Sequence, residues 1–240
     1  MDQAAYHHLA ENEQSHWWFV ARREFISRQL DKLKRPALKI LEVGCGTGGN
    51  IDMLRGYGEL SVMELDPYAI KIAESRHEIK VANGSLPDNH EFNPESFDLI
   101  VLFDVLEHID ADVEALRELK GLLKPGGRIL LTVPAYQSLW SEHDKIHHHH
   151  RRYSRDSLRD VVQNSGFKVS RMSNFFIFIL PLALIRKFMG SVLKIRQTLE
   201  GQPPTLINNI LKRVSIIETK ISFGKGWPAG LSIYCELVPK

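Results

Sequence analysis

At 240 residues the chain has room for one α/β domain, or for such a domain with a helical cap, and its composition is that of an ordinary globular protein able to bury a sizeable core. Two cysteines, Cys45 and Cys235, are too few for a disulfide framework and suit a reducing, cytoplasmic compartment. Charge is lopsided: residues 1–144 hold 15 Lys+Arg against 24 Asp+Glu, whereas residues 145–240 hold 16 against 5. The basic end suits an anionic small molecule or the acidic inner face of a membrane, with solvated helix faces as the plain alternative; nothing points to nucleic acid.

Residues 1–13 are polar, contain Asp2, Glu11 and Glu13, and lack the basic and apolar stretches of a signal peptide. Residues 14–33 read as a helix with Trp18, Phe25, Ile26, Gln29 and Leu33 on roughly one side. Strands then alternate with helices. Strands are predicted at 37–43, 60–65, 79–82, 97–103, 128–133 and 167–172, and helices at 48–54, 67–75, 111–123 and 154–165. Lys124-Pro125-Gly126-Gly127 closes the third of those helices, and Gly166 the fourth. Such alternation predicts a doubly wound, largely parallel sheet that binds ligands at the carboxyl ends of its strands.

After residue 173 the alternation stops. Residues 175–185 form an unbroken apolar run containing Pro181, short of the ~20 residues a membrane span needs. This run either packs an insertion over the sheet or, with Arg186, Lys187, Lys194 and Arg196 nearby, rests on a membrane surface. A helix at 206–221, with Ile207, Ile210, Leu211, Val214, Ile217 and Ile221 at helical spacing, precedes a last strand at 231–238. The chain is therefore expected to be a single domain: helical cap 1–36, core 37–173, helical lid insertion 174–228 over the binding edge, and final strand 229–240.

The glycine-rich turn is the strongest local signal. Gly44, Gly46, Gly48 and Gly49 end an apolar strand, let the backbone approach a ligand closely, and lead into a helix N-terminus. Taken alone the turn is ambiguous. Gly44, Gly46 and Gly49 also satisfy the dinucleotide pattern, with Glu64 placed 20 residues after Gly44 where a ribose-binding acid belongs in either class. An NAD(P)-dependent oxidoreductase is thus an open alternative, as is a catalytically silent, membrane-associated module that keeps the cofactor pocket.

Further motifs point one way. Leu41-Glu42-Val43-Gly44-Cys45-Gly46-Thr47-Gly48, Glu64-Leu65-Asp66-Pro67, Phe97-Asp98-Leu99-Ile100, Asp104-Val105-Leu106-Glu107-His108 and Leu123-Lys124-Pro125-Gly126-Gly127 together resemble the class I S-adenosylmethionine-dependent methyltransferases over residues 38–172 and the final strand. The resemblance implies a Rossmann-like, seven-stranded, mostly parallel α/β sheet. It implies that Glu42, Gly44, Cys45, Gly46 and Gly48 line the methionine part of the cofactor, and that Glu64, followed by Leu65, binds the ribose hydroxyls, with Asp66 the rival. Ser85 and Leu86 would flank the adenine, although family members often carry Asp at the position of Ser85. Phe103 and Asp104 would close the pocket at the end of the fourth strand.

The segment after the fourth strand would lie beside the transferring methyl. His108, with Glu107 and His143 near it, is the candidate base for a hydroxyl acceptor, or else the stretch only shapes the pocket. The acid-x-x-Glu-His pattern also resembles methyltransferases, quinone O-methyltransferases among them, that bind a divalent cation beside the acceptor; Asp104, Glu107 and His108 would be ligands, with a further one from His143 or His147. His16 to Arg22 and the stretch from Thr132 to Tyr153 resemble a bacterial subfamily tied to envelope polysaccharide or lipid pathways. By that resemblance Trp17 and Arg22 close over the cofactor, Arg22 pairing with its carboxylate, unless the tryptophans simply pack the cap. A small, amphipathic, lipid-linked or glycan acceptor methylated on oxygen is the expected substrate, and peripheral contact with the inner membrane the expected location.

Overall fold

The structure, a computed structural model, describes residues 3–33, 35, 37–185, 203–221 and 226–240. Its strands are β1 (Leu38–Val43), β2 (Gly58–Glu64), β3 (Val81–Asn83), β4 (Phe97–Phe103), β5 (Leu123–Pro134), β6 (Phe167–Phe175) and β7 (Ser232–Pro239), in the order β3-β2-β1-β4-β5-β7-β6. β1 to β5 run parallel, and β7 is antiparallel to both its neighbours. This is the Rossmann-like, seven-stranded, mostly parallel sheet expected from the sequence. The chain winds outward from β1 through β2 to β3, then returns to β4 on the other side of β1. That reversal opens a crevice at the carboxyl ends of β1 and β4, the usual ligand position in such sheets.

Both faces of the central strands are dry, which is why they read as continuous apolar runs. Leu41, Val43, Ile100 and Leu102 face α5 (Asp112–Leu122) and α7 (Arg155–Asn164), meeting Leu116, Leu119, Leu158 and Val162. Their alternate neighbours Leu38, Ile40, Leu99 and Val101 face α2 (Trp17–Asp31) and meet Phe25, Ile26 and Leu30. Phe25 also stacks on Phe175 with ring centroids 4.4 Å apart. The remaining described helices are α1 (Gln3–Asn12), α3 (Ile51–Arg55), α4 (Pro67–His77), α6 (Glu142–Ile146), α8, described over residues 180–185, and α9 (Thr205–Ile221).

Several expectations are corrected. The helix expected at 14–33 is α2, which starts only at Trp17 because His16 takes its N-cap with its side chain accepting from Trp18 N and residues 13–16 are not helical; α1, over Gln3–Asn12, is a further helix not expected from the sequence. α2 is a layer against the sheet; α1 alone extends the cap. Lys124 to Gly127 is not a turn between helix and strand but an excursion within β5, whose Leu123 pairs with Phe97 and whose Arg128 pairs with Leu99. α3 starts at Ile51, not Gly48, since Gly44, Gly46 and Gly48 have φ of 70°, 54° and 94°.

In the insertion, α9 docks along α2: Asn208 accepts from Trp17 N at 2.9 Å and donates to Ser15 O at 3.0 Å. Leu211, Val214 and Ile216 pack against the apolar layer on the α2 face. The apolar run at 175–185 divides between the two readings. Phe175, Phe176 and Ile179 are core, whereas Phe178, Leu182, Leu184 and Ile185 are exposed. Arg186, Lys187, Lys194 and Arg196 lie outside the described residues. Among the described residues, no helix is long and apolar enough to cross a membrane.

Candidate active site

Three left-handed glycines carry the chain from β1 across the crevice. At Gly44, where φ is +70°, a Cβ would meet Val105 Cγ2 at 2.6 Å, so the turn after β1 is pressed against the segment after β4. Glu64, at the end of β2, clamps the turn from the other side. Its Oε2 accepts from Gly46 N at 2.8 Å, and its Oε1 accepts from Leu65 N at 2.9 Å and Asp66 N at 3.0 Å. A carboxylate has about four acceptor positions, so Oε2 keeps room for a ribose hydroxyl. Asp66 is occupied differently: its Oδ1 caps α4 by accepting from Tyr68 N at 2.8 Å and Ala69 N at 3.3 Å.

The other expected nucleoside residues sit nearby in sequence but do varied work. Leu65 is exposed, Ser85 pairs its backbone with Asn89, and Leu86 packs partly buried against the core. Burial, then the Glu42 and Glu64 charges, push the Cys45 thiol far above its ordinary value, so it serves as a small apolar group beside Ile51 and Val62 rather than as a nucleophile.

Glu42 lies fully buried beneath the turn. Its Oε1 accepts from Asn50 Nδ2 at 2.8 Å while its Oε2 is buried without a partner among the described residues. Burial raises its pKa to about 7, against the opposing Asn50 hydrogen bond and the Arg22 charge. An unpartnered acid here fits the ammonium of an amino-acid group in the crevice. Because the folded state holds this proton more tightly than the unfolded chain, Glu42 stabilises the fold at acid pH, and that contribution is lost as pH rises from about 4.3 towards 7. An ammonium bound beside Glu42 would expel the proton. Binding of S-adenosylhomocysteine near pH 6 should therefore release about one proton, read by calorimetry in buffers of different ionisation enthalpy, and Glu42→Gln should abolish the release.

The segment after β4 forms the second half of the site. Phe103 is buried in the core, and Asp104 follows it with φ of +58°. Asp104 is held by two partners, Thr132 Oγ1 at 3.2 Å and an ion pair with Arg22. Arg22 thus spends its charge on Asp104, and its Nε is buried without a partner in the described residues. Trp17 is buried in the apolar layer with its ring edge against Phe176 at 5.8 Å, and Trp18 packs on the same ring at 4.7 Å.

Glu107 is completely buried, and neither carboxylate oxygen has a partner among the described residues. Burial, then the Asp104 charge, hold its pKa well above the usual carboxylate range. Ligand atoms of Glu107, His108 and His149 lie within 4.8 Å of one another. Burial, then the neighbouring His149, push His108 down to about 4, so its imidazole is neutral at physiological pH.

His149 is the residue that the sequence reading missed in the histidine run. Its ring stands edge-on to His108 at 4.5 Å, and its Nδ1 lies 2.9 Å from Asp144 Oδ1. Asp144, with its side chain fully buried, also accepts from Arg152 Nε at 2.7 Å, Arg152 Nη2 at 2.9 Å and Ser141 N at 2.8 Å. Burial alone would raise its pKa, but the hydrogen bonds from His149 and Arg152 hold it far below the usual carboxylate range. Asp144 is therefore the acceptor and His149 Nδ1 the donor in that hydrogen bond, which fixes the orientation of the ring. The loop is anchored further by Arg151 on Asp110 and Asp112, at 2.7 and 2.8 Å, and by Tyr153 Oη on Asp112 at 2.8 Å.

The metal set expected from the sequence is corrected accordingly. Asp104 is engaged by Arg22 and Thr132, and the histidine brought to Glu107 and His108 is His149, with the His147 ring 6.0 Å from that of His149. The side chain of His143 lies outside the described part of the structure. A signal for His149 existed in its spacing from Asp144 and Arg152, but only the loop closure shows which of four adjacent histidines turns inward.

A doubly wound sheet whose glycine turn and carboxylates face a crevice at the switch point is the framework of a nucleoside-cofactor enzyme. The methyltransferase domain family matches residues 15–171, more than half of the chain, and the chain belongs to that family. It is by family a class I S-adenosylmethionine-dependent methyltransferase domain, which sets aside the NAD(P) oxidoreductase alternative. Curated relatives include the ubiquinone biosynthesis O-methyltransferases of Xanthomonas campestris pv. campestris, 30% identical over 103 residues covering 40% of this chain and 43% of the relative, and of Xanthomonas euvesicatoria pv. vesicatoria, 29% identical over 117 residues covering 46% and 48%. The chain spans less than half the length of either relative. Among solved structures, a putative methyltransferase in complex with the Haloferax volcanii Trm112 activator aligns with a TM-score of 0.63 at 15% identity, covering 99% of this chain and 96% of that one. Haemonchus contortus phosphoethanolamine N-methyltransferase 2 aligns with a TM-score of 0.58 at 17% identity, covering 89% and 52%. At these identities the structural likeness concerns the fold.

Proposed function

We propose that the enzyme methylates a hydroxyl oxygen on a small, amphipathic acceptor, lipid-linked, quinone-like or glycan. The observation that carries this reading is the group of Glu107, His108 and His149 in the segment after β4, whose Val105 presses on Gly44, with Asp144 hydrogen-bonded to His149. S-adenosylmethionine supplies an electrophilic methyl on a sulfonium. The chain's own task is then to hold an acceptor oxygen in line and take its proton. A neutral imidazole is suited to that, and Arg22 with Asp104 keeps the wall between the two halves of the crevice neutral overall. The curated relatives being O-methyltransferases supports oxygen over nitrogen. The test is transfer of tritiated methyl into fractionated lipids and envelope glycans, with the linkage identified in the product; a labelled amine or carbon would overturn the reading.

A divalent cation is a second reading, favoured by the two unpartnered oxygens of Glu107. Glu107, His108 and His149 would hold it, with Asp144 fixing the His149 tautomer from behind. It would acidify the acceptor hydroxyl. Turnover that is lost with chelator and restored by added metal supports it, and turnover indifferent to chelator removes it.

Contact with an anionic membrane surface completes the proposal. α9 presents an apolar face outward, with Leu206, Ile207, Ile210, Ile217 and Ile221 exposed, while Leu211, Val214 and Ile216 pack inward beside the buried Asn208, Ser215, Glu218 and Thr219. The exposed Phe178, Leu182, Leu184 and Ile185 add to the apolar surface of the insertion, and Lys212, Arg213 and Lys220 of α9 supply positive charge. The protein should float with anionic vesicles at low salt, and Ile210→Asp with Ile217→Asp should abolish flotation without lowering Tm. Wild-type protein that stays in solution with such vesicles rules out the docking.

A further inference from the structure

The glycine turn is covered by a segment that no sequence motif singled out. α1 lies across it. The Leu9 side chain comes within 3.8 Å of the place a Cβ on Gly46 would occupy. Tyr6 is buried three residues earlier, near Glu64 at the end of β2 and Asp66 two residues on, where burial and then the Glu64 and Asp66 charges raise its pKa. The ring of Tyr6 also faces Tyr68 of α4 at 6.5 Å. Both side chains therefore stand over the part of the crevice where Glu64 offers its spare acceptor position to a ribose.

The end of α1 is tied down by a buried acid. Glu13, 4% exposed, accepts from Thr47 Oγ1 at 2.9 Å through Oε2 and forms an ion pair with Arg76 through Oε1. Arg76 in turn donates to Thr47 O at 3.1 Å, and Arg23 of α2 donates to Gly49 O at 3.3 Å. The Glu13 carboxylate also fills the space a Cβ on Gly49 would take, so any larger residue there would push it out. One acid thus joins the N-terminal segment to the glycine turn and to α4, the two elements that bracket a nucleoside. Removing one partner of a buried ion pair leaves the other charge uncompensated, so this connection is strong while closed and lost as a unit.

We propose that α1 is a strap over the nucleoside half of the cofactor, latched by Glu13 to Thr47 and Arg76, with Tyr6 and Leu9 as its cofactor-facing residues. The cofactor enters when the latch opens, and the bound cofactor adds apolar contact and a ribose–phenol neighbourhood that hold the strap closed. A cover of this kind acts mainly on the rate of cofactor release.

Hydrogen exchange of the α1 amides, with and without S-adenosylhomocysteine, tests the idea without requiring a methyl acceptor. The ligand should slow exchange over residues 3–12 by about tenfold or more, because exchange there reports local opening. Glu13→Gln, which keeps an acceptor for Thr47 but not the charge for Arg76, should remove most of that protection and raise the ligand's dissociation rate about tenfold, with a smaller change in association rate. Leu9→Ala should raise the dissociation rate with Tm unchanged, which separates loss of the cover from loss of the fold. Exchange over 3–12 that is unaltered by the ligand overturns the proposal, and so does exchange that becomes faster, since the segment would then be a plug that the cofactor displaces.

Discussion

Asp144→Ala should cost about 3–5 kcal/mol of stability, the range for removing one partner from a buried charge pair, and should lower the urea midpoint with an unchanged slope. Its side chain is fully buried and gathers His149, Arg152 and Ser141 onto two oxygens. Taking it away strands the Arg152 guanidinium, itself only 13% exposed, and frees the His149 ring. The acid dependence has a defined sign. Because the folded carboxyl sits far below the unfolded value near 3.9, the stability it confers is present above about pH 4 and is lost as pH falls below it. Asp144→Asn should flatten that part of the acid unfolding curve and lower turnover while leaving S-adenosylhomocysteine affinity within about twofold, since Asp144 holds the acceptor side of the crevice and not the cofactor side. A loss of cofactor affinity as large as the loss of turnover would contradict this division of labour.

The alternation of apolar runs with turn residues was enough to place every strand, because burial on both faces leaves an unmistakable continuous pattern in β1, β4 and β5. The glycine turn and its clamp were equally legible. Gly44, Gly46 and Gly48 need left-handed backbone, and a strand-terminal acid at Glu64 is a local feature. The acceptor half was less so. Nothing local distinguishes His149 from His147, His148 and His150; the choice is made by Asp144 and Arg152, which meet the ring only after the loop has folded back on Asp112 through Arg151 and Tyr153. Arg22 was legible as a charge directed at the site but not as the partner of Asp104, which comes from a strand 82 residues away. The exposure of much of the apolar surface of α9 was hidden for the opposite reason. Its isoleucines have perfect helical spacing, and spacing says which residues share a face, not whether that face meets protein.

The two acids after β2 give the sharpest separation between a cofactor ligand and a structural one. Glu64→Ala removes a carboxylate that accepts from Gly46 N of the turn and from Leu65 N and Asp66 N after β2 and, as proposed, from a ribose hydroxyl. Hydrogen bonds to a charged group contribute about 1.5–3 kcal/mol each, so losing the ribose contact together with the turn geometry should weaken S-adenosylhomocysteine binding by roughly 100-fold or more, measured by calorimetry. Asp66→Ala removes only the N-cap of α4, worth about 0.5–2 kcal/mol of stability, and should leave affinity within a few-fold once Tm is matched by working at lower temperature. Glu64→Gln distinguishes the parts further. The amide oxygen can accept from Gly46 N or from Leu65 N and Asp66 N but not from both sides, so half of the clamp remains while the charge that attracts the ribose hydroxyl is gone. Its affinity should fall between that of the wild type and Glu64→Ala. If Asp66→Ala instead proves the more damaging to binding, the ribose belongs to Asp66, and Glu64 is a clamp for the glycine turn alone.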